Sequence, residues 1–328
     1  MTRPSRLVLL VGLAAACAGP PANGPTEVVF LPPGSGFNEM TDSLVAHHLV
    51  TSRRWFGFLA RVGRYDRKLK AGFYELKQGE APLTVLKTLA AGGEMTARFT
   101  VPEGFTILDI AAAAESTLGI PADSIRAAAA DTALLREFGV DAPSMEGFLL
   151  PETYFVSRII TARGLVHEMA ALFRKRWNPA WDDRAKGLGL SRIDLVTMAS
   201  IVEGEAQVDE DRPLVAAVYL NRRRIRMPLQ ADPTVQYAIQ VATGKRKPRL
   251  FERDYQFPSP FNTYLHPGLP PGPVGAPSTK SIEAVLDPAP VPFLYFVAGL
   301  DGKHVFTKTF NEHLRAIARI RAAERAQR

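Results

Sequence analysis

Two acidic residues, Glu203 and Glu205, stand at the end of an apolar stretch that begins at Leu195. At helical spacing the apolar residues share one face, and the glutamates flank it on opposite sides because two residues turn a helix by about 200°. The two carboxylates therefore cannot easily converge on one substrate atom. A site here would use one acid, and Glu203 is the candidate, since its flank beside Val196 and Ala199 would partly desolvate the carboxyl, as a general acid requires.

A surface helix with two solvated glutamates would show the same pattern. From this stretch alone that simpler interpretation is favoured, because glutamates beside an apolar stripe are common. The motifs elsewhere in the chain must decide between the two interpretations.

The composition is that of a folded, mildly basic protein. At 328 residues, 46% hydrophobic and 22% charged, the chain has room for two domains with cores of their own. The net charge of +7 favours an anionic polymer or a membrane surface as partner. A single cysteine excludes an intrachain disulfide and a cysteine-based metal site. We find no compact recognition motif for nucleic acid, and we expect no metal and no cofactor.

The N-terminus is typical of an export signal. Arg3 and Arg6 precede a ten-residue apolar run, residues 7–16, which is shorter than the about 20 residues of a membrane-spanning helix. Cys17 follows three alanines, an arrangement that resembles a bacterial lipoprotein signal, in which the cysteine is lipidated. The alternative is ordinary cleavage with Cys17 incidental. In either case residues 1–26 form a signal or anchor segment and tether, and the rest of the chain lies outside the cytoplasm.

The fold class predicted from the remaining sequence is α+β, in two parts. Residues 27–100 alternate strand and helix signals: strands at 27–31, 72–76 and 96–101, two helices between 37 and 62, and a helix at 81–91 opened by Pro82. Residues 101–328 form a larger mixed domain. It has helices at 107–118, within 120–142, at 161–177, around Glu203, from 211, at 278–286 and from 310, and a hairpin turning at Asp301-Gly302.

Several long motifs follow one another in the larger part. They are Glu146-Gly-Phe-Leu-Leu-Pro-Glu-Thr-Tyr154, Ala199-Ser-Ile-Val-Glu203 with Glu205, Val218-Tyr-Leu-Asn-Arg222, Leu229-Gln-Ala-Asp-Pro-Thr-Val235, Ser259-Pro-Phe-Asn-Thr-Tyr264, Gly268-Leu-Pro-Pro-Gly-Pro273 and Tyr295-Phe-Val297. In this order they resemble the endolytic murein transglycosylases of the YceG-like (MltG) family. The resemblance covers residues 70–315.

The resemblance implies a bacterial cell-envelope lyase that cuts peptidoglycan glycan strands between N-acetylmuramic acid and N-acetylglucosamine. It implies a LysM-like module, residues 27–100, ahead of a catalytic domain, residues 101–328. It also implies that Glu203 is the catalytic acid, and that the muramic acid 6-hydroxyl attacks its own anomeric carbon to leave a 1,6-anhydro end. This reaction needs one carboxyl group, whereas two-carboxylate glycosidases need a second.

Ten further residues in the shared motifs are expected to bind substrate or support the acid: Glu152, Tyr154, Glu205, Asn221, Arg222, Gln230, Asp232, Asn262, Thr263 and Tyr264. Gln230, Asn262, Thr263 and Tyr264 would hydrogen-bond acetamido groups and hydroxyls, and Tyr154 and Tyr264 would stack on sugar faces.

Three of these residues keep alternative roles. Asp232 is either a helix cap or a site residue. Glu152 either fixes its loop or supports Glu203. Arg222 pairs with a carboxylate of the protein or of the substrate's peptide stem, or forms a structural ion pair.

The chain departs from the family at Gly204, where lysine is common, and in its anchor, since family members typically have a transmembrane helix. We expect a membrane-anchored protein that faces the periplasm, from the inner membrane or, if Cys17 is lipidated, from the outer membrane. Glycan strands are the expected partner, with cell-wall synthases as further candidates.

Two other functions remain open. One is a non-catalytic scaffold that binds peptidoglycan, and the other is a hydrolase of the same bond, which would need a second carboxylate near the acid. A pyridoxal-phosphate lyase is not supported, since no lysine stands in a motif.

Overall fold

The protein, described by a computed structural model over residues 24–93 and 95–327, divides into two compact units, residues 1–97 and 98–328. Cys17 and the predicted export signal lie outside the described residues. Among the helices of the described part, none combines the length and the apolar character that a membrane span requires.

Over its described residues, 24–93 and 95–97, the smaller unit contains a two-stranded sheet and three helices. Strands β1 (Thr26–Leu31) and β2 (Gly72–Lys77) pair antiparallel, and the helices are α1 (Phe37–Ala46), α2 (Arg53–Val62) and α3 (Pro82–Ala91). Val29 and Tyr74 face each other in this register and are buried with Phe56 and Leu86 in a core of the unit's own. The assignment of this unit as LysM-like stays a prediction.

The larger unit is mostly helical and contains two small sheets. Strand β3 (Thr96–Thr100), which runs into this unit, pairs with β4 (Thr153–Ser157), and β5 (Tyr295–Ala298) pairs antiparallel with β6 (His304–Thr307). The helices are α4 (Ile107–Leu118), α5 (Ala122–Ala129), α6 (Thr132–Phe138), α7 (Ala162–Arg176), α8 (Ala180–Gly187), α9 (Arg192–Glu205), α10 (Arg212–Arg224), α11 (Asp232–Thr243), α12 (Thr279–Leu286) and α13 (Phe310–Gln327). The predicted α+β class is confirmed, while α8 was not expected.

Helix α9 lies at the centre of the larger unit. Ser191 and Asp194 form a reciprocal capping box at its start, which satisfies two of the free N–H groups there. Residues 195–202 are all buried, including Thr197 and Ser200, and the helix packs against α8, α10, α11 and α12. The expectation of one apolar face was therefore too narrow, because this helix is enclosed on every side along its middle turns.

Helix α4 begins over a buried acid, Glu146. The Glu146 carboxyl group accepts a hydrogen bond from the backbone N–H of Ile107 (3.1 Å) and one from the hydroxyl of Tyr237 (3.3 Å). Burial is the main reason that the pKa of Glu146 is raised to about 8, and the nearby Asp109 carboxylate adds to it. The Glu146 side chain is therefore largely protonated at neutral pH.

We expect Glu146→Gln to reduce the loss of stability that accompanies a rise in pH from 5 to 8. The folded-state pKa of Glu146 lies above the unfolded value of about 4.3. Between these two pH values the native protein keeps a proton that the unfolded chain has released, so the free energy of unfolding falls by up to about 1.4 kcal/mol per pH unit. Glutamine carries no such proton. Urea denaturation at several pH values should show free energies of unfolding that nearly agree at pH 5 and diverge toward pH 8.

Other carboxylates act in a different pH window. Arg192 lowers the pKa of Asp182 and Lys247 lowers that of Asp254, so these two groups stabilise the fold at neutral pH and lose that effect only in acid.

Wild-type and Glu146→Gln plots of unfolding free energy against pH that stay parallel from pH 5 to 8 would contradict the prediction for Glu146, since Glu146 would then ionise alike in the folded and unfolded states.

Candidate active site

A polar groove of about 490 Å³ opens at the C-terminal end of α9. Its walls are the last turn of α9, the start of α11, the β5–β6 hairpin and the first turn of α13. The side chains in it that can donate or accept hydrogen bonds are Glu205, Gln207, Arg222, Gln230, Asp232, Gln236, Tyr264, Tyr295, His304 and His313. A cleft rich in amide, carboxyl and aromatic groups suits a sugar polymer better than an apolar ligand.

Glu205 is the acid that this groove contains at the end of α9. The hydroxyl of Tyr219 donates to its carboxyl group (2.6 Å), and the backbone N–H of Asp232 donates as well. Burial raises the pKa of Glu205 to about 7 and the Asp232 carboxylate adds to this, whereas the Tyr219 hydrogen bond and the Arg222 charge oppose it. Such a group can both give and take a proton near neutral pH.

Gly204 lets the end of α9 approach the start of α11. A Cβ atom at Gly204 would lie 2.7 Å from Cγ and 2.8 Å from Cβ of Pro233, closer than non-bonded carbons come. Because Pro233 is a rigid ring in the first turn of α11, no side-chain rotation can relieve such a contact. Glycine therefore brings Glu205 against Asp232.

Gly204→Ala is expected to destabilise the protein by about 1–3 kcal/mol through overpacking and to lower its activity by moving Glu205. Chemical denaturation and an activity assay on the folded variant measure the two effects. Gly187→Ala is the matched control. Gly187 also lies in a helix, with nothing within 4 Å of a Cβ, and there alanine should stabilise by up to about 1 kcal/mol. A stable, fully active Gly204→Ala protein would show that the contact is not needed.

Asp232 provides a second carboxylate in the groove. It is the first residue of α11 and makes no capping bond, and its Oδ1 accepts a hydrogen bond from the hydroxyl of Tyr264 (2.6 Å). The Tyr264 ring packs on Tyr255 with centroids 4.4 Å apart, and burial raises the pKa of Tyr264. Of the two roles left open for Asp232, the structure favours the site residue over the helix cap.

Glu203 faces a different part of the protein. Its side chain is 5% exposed, and its carboxylate accepts hydrogen bonds from Arg212 (2.8 Å) and from the backbone N–H (2.8 Å) and hydroxyl (2.5 Å) of Ser278. Arg212 also pairs with Asp209 (3.1 Å) and Glu103 (3.6 Å). Glu203 thus connects α9 with α10 and α12, and it does not line the groove.

Comparison with known proteins identifies the family. Residues 29–319 match the sequence profile of the YceG-like family. The chain belongs to the YceG-like family. A curated relative from Bacillus subtilis (strain 168), named endolytic murein transglycosylase, is 31% identical over 306 residues, which is 89% of this chain and 84% of that protein.

Further relatives agree with this membership. A protein of the same name from Streptococcus pneumoniae serotype 2 is 31% identical over 319 residues, and the match spans 88% of this YceG-like chain but only 57% of that relative's length. A 2.6 Å crystal structure of a YceG-like protein from Listeria monocytogenes superposes with a TM-score of 0.63 at 28% identity, covering 88% of this chain and 98% of that one.

The structure of this YceG-like chain corrects several expected substrate contacts. Tyr154 is buried and donates its hydroxyl hydrogen bond to the carbonyl of Leu150 (2.5 Å), so its ring cannot stack on a sugar. The Asn262 side-chain amide donates to the carbonyls of Tyr255 and Phe257, and that residue is fully buried. Asn262 therefore shapes the loop before Tyr264 and is not free to bind glycan.

Thr263 and Asn221 likewise hold backbone in this YceG-like fold. The Thr263 hydroxyl accepts from the backbone N–H of Ala231 (2.9 Å), next to Gln230, and is buried. The Asn221 amide donates to the carbonyls of Val291 and Phe293, which fixes the chain entering β5. Both residues support the groove walls from behind.

Arg222 does line the groove, although its partners are not the predicted carboxylates. Its guanidinium donates to the carbonyls of Leu294 (2.7 Å) and Leu229 (2.5 Å) and lies over the ring of Tyr295 (5.5 Å). Glu152 is exposed, accepts from the N–H of Thr153 and lies 3.9 Å from Arg176. Glu152 is absent from the groove lining, so the loop role of Glu152 is favoured over support of the acid.

Gln230 is both exposed and aimed at the groove. Its φ angle is +50°, a left-handed conformation that costs a non-glycine residue roughly 1–2 kcal/mol. Residues held in this conformation are concentrated at functional sites. The expectation that Gln230 binds substrate stays a prediction, and its position in the groove supports it.

Five polar groove residues were not predicted as site residues: Gln207, Gln236, Tyr295, His304 and His313. Tyr295, His304 and His313 come from the last 34 residues of the chain, where the Tyr295-Phe-Val297 motif was the signal for Tyr295 and the two histidines stood in no motif. Tyr219, the hydrogen-bond donor to Glu205, lies inside the Val218–Arg222 motif, and that motif was the available signal for it.

Proposed function

We propose that this chain is an endolytic murein transglycosylase that cleaves peptidoglycan glycan strands, with Glu205 as its acid. The relatives that carry this name match most of the chain. The observation that carries the residue assignment is the Glu205 carboxyl group, whose pKa is raised to about 7 in a polar groove. This acid in an open cleft argues against a scaffold that only binds glycan.

The proposed reaction uses Glu205 twice. In its protonated form Glu205 gives its proton to the glycosidic oxygen as the bond to the muramic acid anomeric carbon breaks. The resulting carboxylate then takes the proton from the 6-hydroxyl of the same sugar, whose oxygen bonds to the anomeric carbon. A 1,6-anhydro ring forms, no water is consumed, and Glu205 is again protonated.

The surroundings of Glu205 suit both steps. The Tyr219 hydroxyl and the Asp232 N–H stabilise the carboxylate after the proton has left, and burial stabilises the acid before it leaves. The opposed effects hold the pKa near the working pH, where proton transfer in both directions is efficient. Glu203, the acid favoured by the sequence, has both carboxylate oxygens engaged by Arg212 and Ser278.

Hydrolysis of the same bond is the second candidate, and the Asp232 carboxylate in the groove favours considering it. A second carboxylate can activate a water molecule, as inverting glycosidases require. However, Asp232 already accepts the hydrogen bond of Tyr264, and we propose that it tunes Glu205 rather than activating water.

Mass spectrometry of the products from purified peptidoglycan separates the two reactions. We expect glycan ends with anhydro-muramic acid and no added water, while the scaffold function predicts binding without cleavage. Reducing ends heavier by one water, with heavy oxygen incorporated from labelled solvent, would instead make the protein a hydrolase and give Asp232 the role of base.

We also propose a location in the bacterial cell envelope, with the chain anchored through its N-terminal segment and facing the periplasm. The apolar run and Cys17 support this, although both lie outside the described residues. Residues 27–100, the N-terminal α+β unit, are proposed as a LysM-like glycan-binding module. Cell-wall synthases are proposed as partners because newly made strands are their product.

A further inference from the structure

A buried acid and a histidine meet beside the groove. Asp211 ends the short helix before α10, and His304 is the first residue of β6. One carboxylate oxygen of Asp211 accepts hydrogen bonds from both the backbone N–H (2.7 Å) and the ring Nδ1 (2.8 Å) of His304. Their side chains are 6% and 5% exposed, so both groups are withdrawn from solvent.

This contact determines which ring nitrogen carries the proton. A carboxylate only accepts hydrogen bonds, so Nδ1 of His304 must be protonated to donate to Asp211. In the neutral imidazole the other nitrogen, Nε2, then presents a lone pair. The rings of Phe296 and Phe306, with centroids 5.2 and 6.0 Å away, hold the imidazole in place.

The Nε2 atom has no hydrogen-bond partner within residues 24–93 and 95–327, and the ring lines the same groove as Glu205. Nε2 is not one of the fully buried polar atoms without a partner, so it is open to the groove and a bound ligand can reach it. The hydrogen bond from the backbone N–H of His304 to Asp211 already holds the start of β6 in place. An oriented acceptor facing a polar cleft is what recognition of a hydroxyl group requires.

We propose that Nε2 of His304 accepts a hydrogen bond from a sugar hydroxyl of the bound glycan, and that Asp211 is the positioning residue that fixes the ring in this tautomer. The identity of the ligand rests on the proposed function, whereas the tautomer and its dependence on Asp211 do not. His304 thus fixes the sugar in register with Glu205 without exchanging a proton.

Asp211→Asn tests the proposal with almost no change of shape. Both bonds go to one oxygen atom, so the asparagine oxygen must stay there to accept from the His304 backbone. It is then a neutral and weaker acceptor for Nδ1–H than a carboxylate, and the preference for the tautomer with the proton on Nδ1 falls. We expect kcat/KM for glycan cleavage to fall about tenfold, as the loss of one hydrogen bond would cause, with the Tm little changed. Glu210→Gln, a neighbour on the same short helix that is 75% exposed, should keep wild-type activity.

A double-mutant cycle distinguishes positioning from general destabilisation. If Asp211 acts through His304, then Asp211→Asn should have little further effect on kcat/KM in a His304→Gln background. An equal loss in both backgrounds would overturn the positioning role, because Asp211 would then act on something else.

Nitrogen NMR of histidine-labelled Glu205→Gln protein supplies a readout that needs no catalysis. We expect Nδ1 of His304 to be protonated and Nε2 unprotonated in the parent protein, and a mixture of both tautomers when Asp211→Asn is added. The Nε2 signal should shift on titration with a short oligomer of alternating N-acetylglucosamine and N-acetylmuramic acid. A protonated Nε2 in the neutral ring, or an Nε2 signal that stays fixed while other groove signals shift, overturns the proposal. Wild-type protein that neither binds nor cuts the oligomer contradicts the proposed function instead, and the tautomer measurement still stands.

Discussion

Glu205→Gln is expected to lower the rate of glycan cleavage by roughly 10²- to 10⁴-fold, the usual contribution of a general acid–base group. Glutamine has nearly the same shape and can still accept the hydrogen bond of Tyr219, so the groove should keep its form. It can neither give a proton to the leaving oxygen nor take one from the attacking hydroxyl. Initial rates of anhydro-end formation from purified glycan strands measure the loss.

Glu203→Gln is the matched control for this experiment, because it makes the same chemical change two residues away. We expect this variant to lose stability, because the amide nitrogen of glutamine cannot accept the hydrogen bond that Arg212 or Ser278 donates to the carboxylate. Activity per folded molecule should stay within a few-fold of wild type. The opposite pattern, with Glu203→Gln inactive and Glu205→Gln active, would restore Glu203 as the acid.

The choice between these two glutamates shows where sequence reasoning ends. The helical wheel separates Glu203 from Glu205 correctly, and the structure gives them different partners, Arg212 and Tyr219. A wheel cannot tell which flank faces a groove, because that depends on what packs there. Here α12 covers the flank with Glu203, and the start of α11 leaves space beside Glu205.

Local signals predicted most of the fold. Pro82 opens α3, and Thr106 and Ser278 cap the starts of α4 and α12, each through bonds between near neighbours in the chain. The short helix α8 was missed because its apolar residues, Trp181 and Ala185, are too few to show a period.

Contacts between distant residues could not be predicted. Asp211 and His304 meet across 93 positions, and Arg222 reaches Leu294 across 72. The residue types of Asp211 and Arg222 do not indicate these distant partners. An aspartate before a helix is commonly a cap, and an arginine at a helix end is commonly solvated. The aromatic Tyr154 was misassigned for the same reason, because its burial depends on elements packed over it later in the fold.

Arg212 is the residue that keeps Glu203 in its structural role. Its side chain is 9% exposed and contacts three carboxylates, those of Glu203, Asp209 and Glu103, as well as the hydroxyl of Ser281. A cation this enclosed neutralises acids that would otherwise repel one another where water screens little. The arrangement also explains why a second acid can lie two residues from Glu205 without entering the groove.

We expect Arg212→Leu to destabilise the protein by about 3–5 kcal/mol, because it leaves the buried Glu203 carboxylate without a cation. Arg163→Leu removes an exposed partner of Asp131 instead and should cost at most about 1 kcal/mol. Urea denaturation at pH 7 measures both. Adding Glu203→Leu to Arg212→Leu should recover part of the loss, since replacing both members of a buried pair is milder than removing one. A double variant less stable than Arg212→Leu alone would show that Glu203 stabilises the fold through Ser278 rather than through the ion pair.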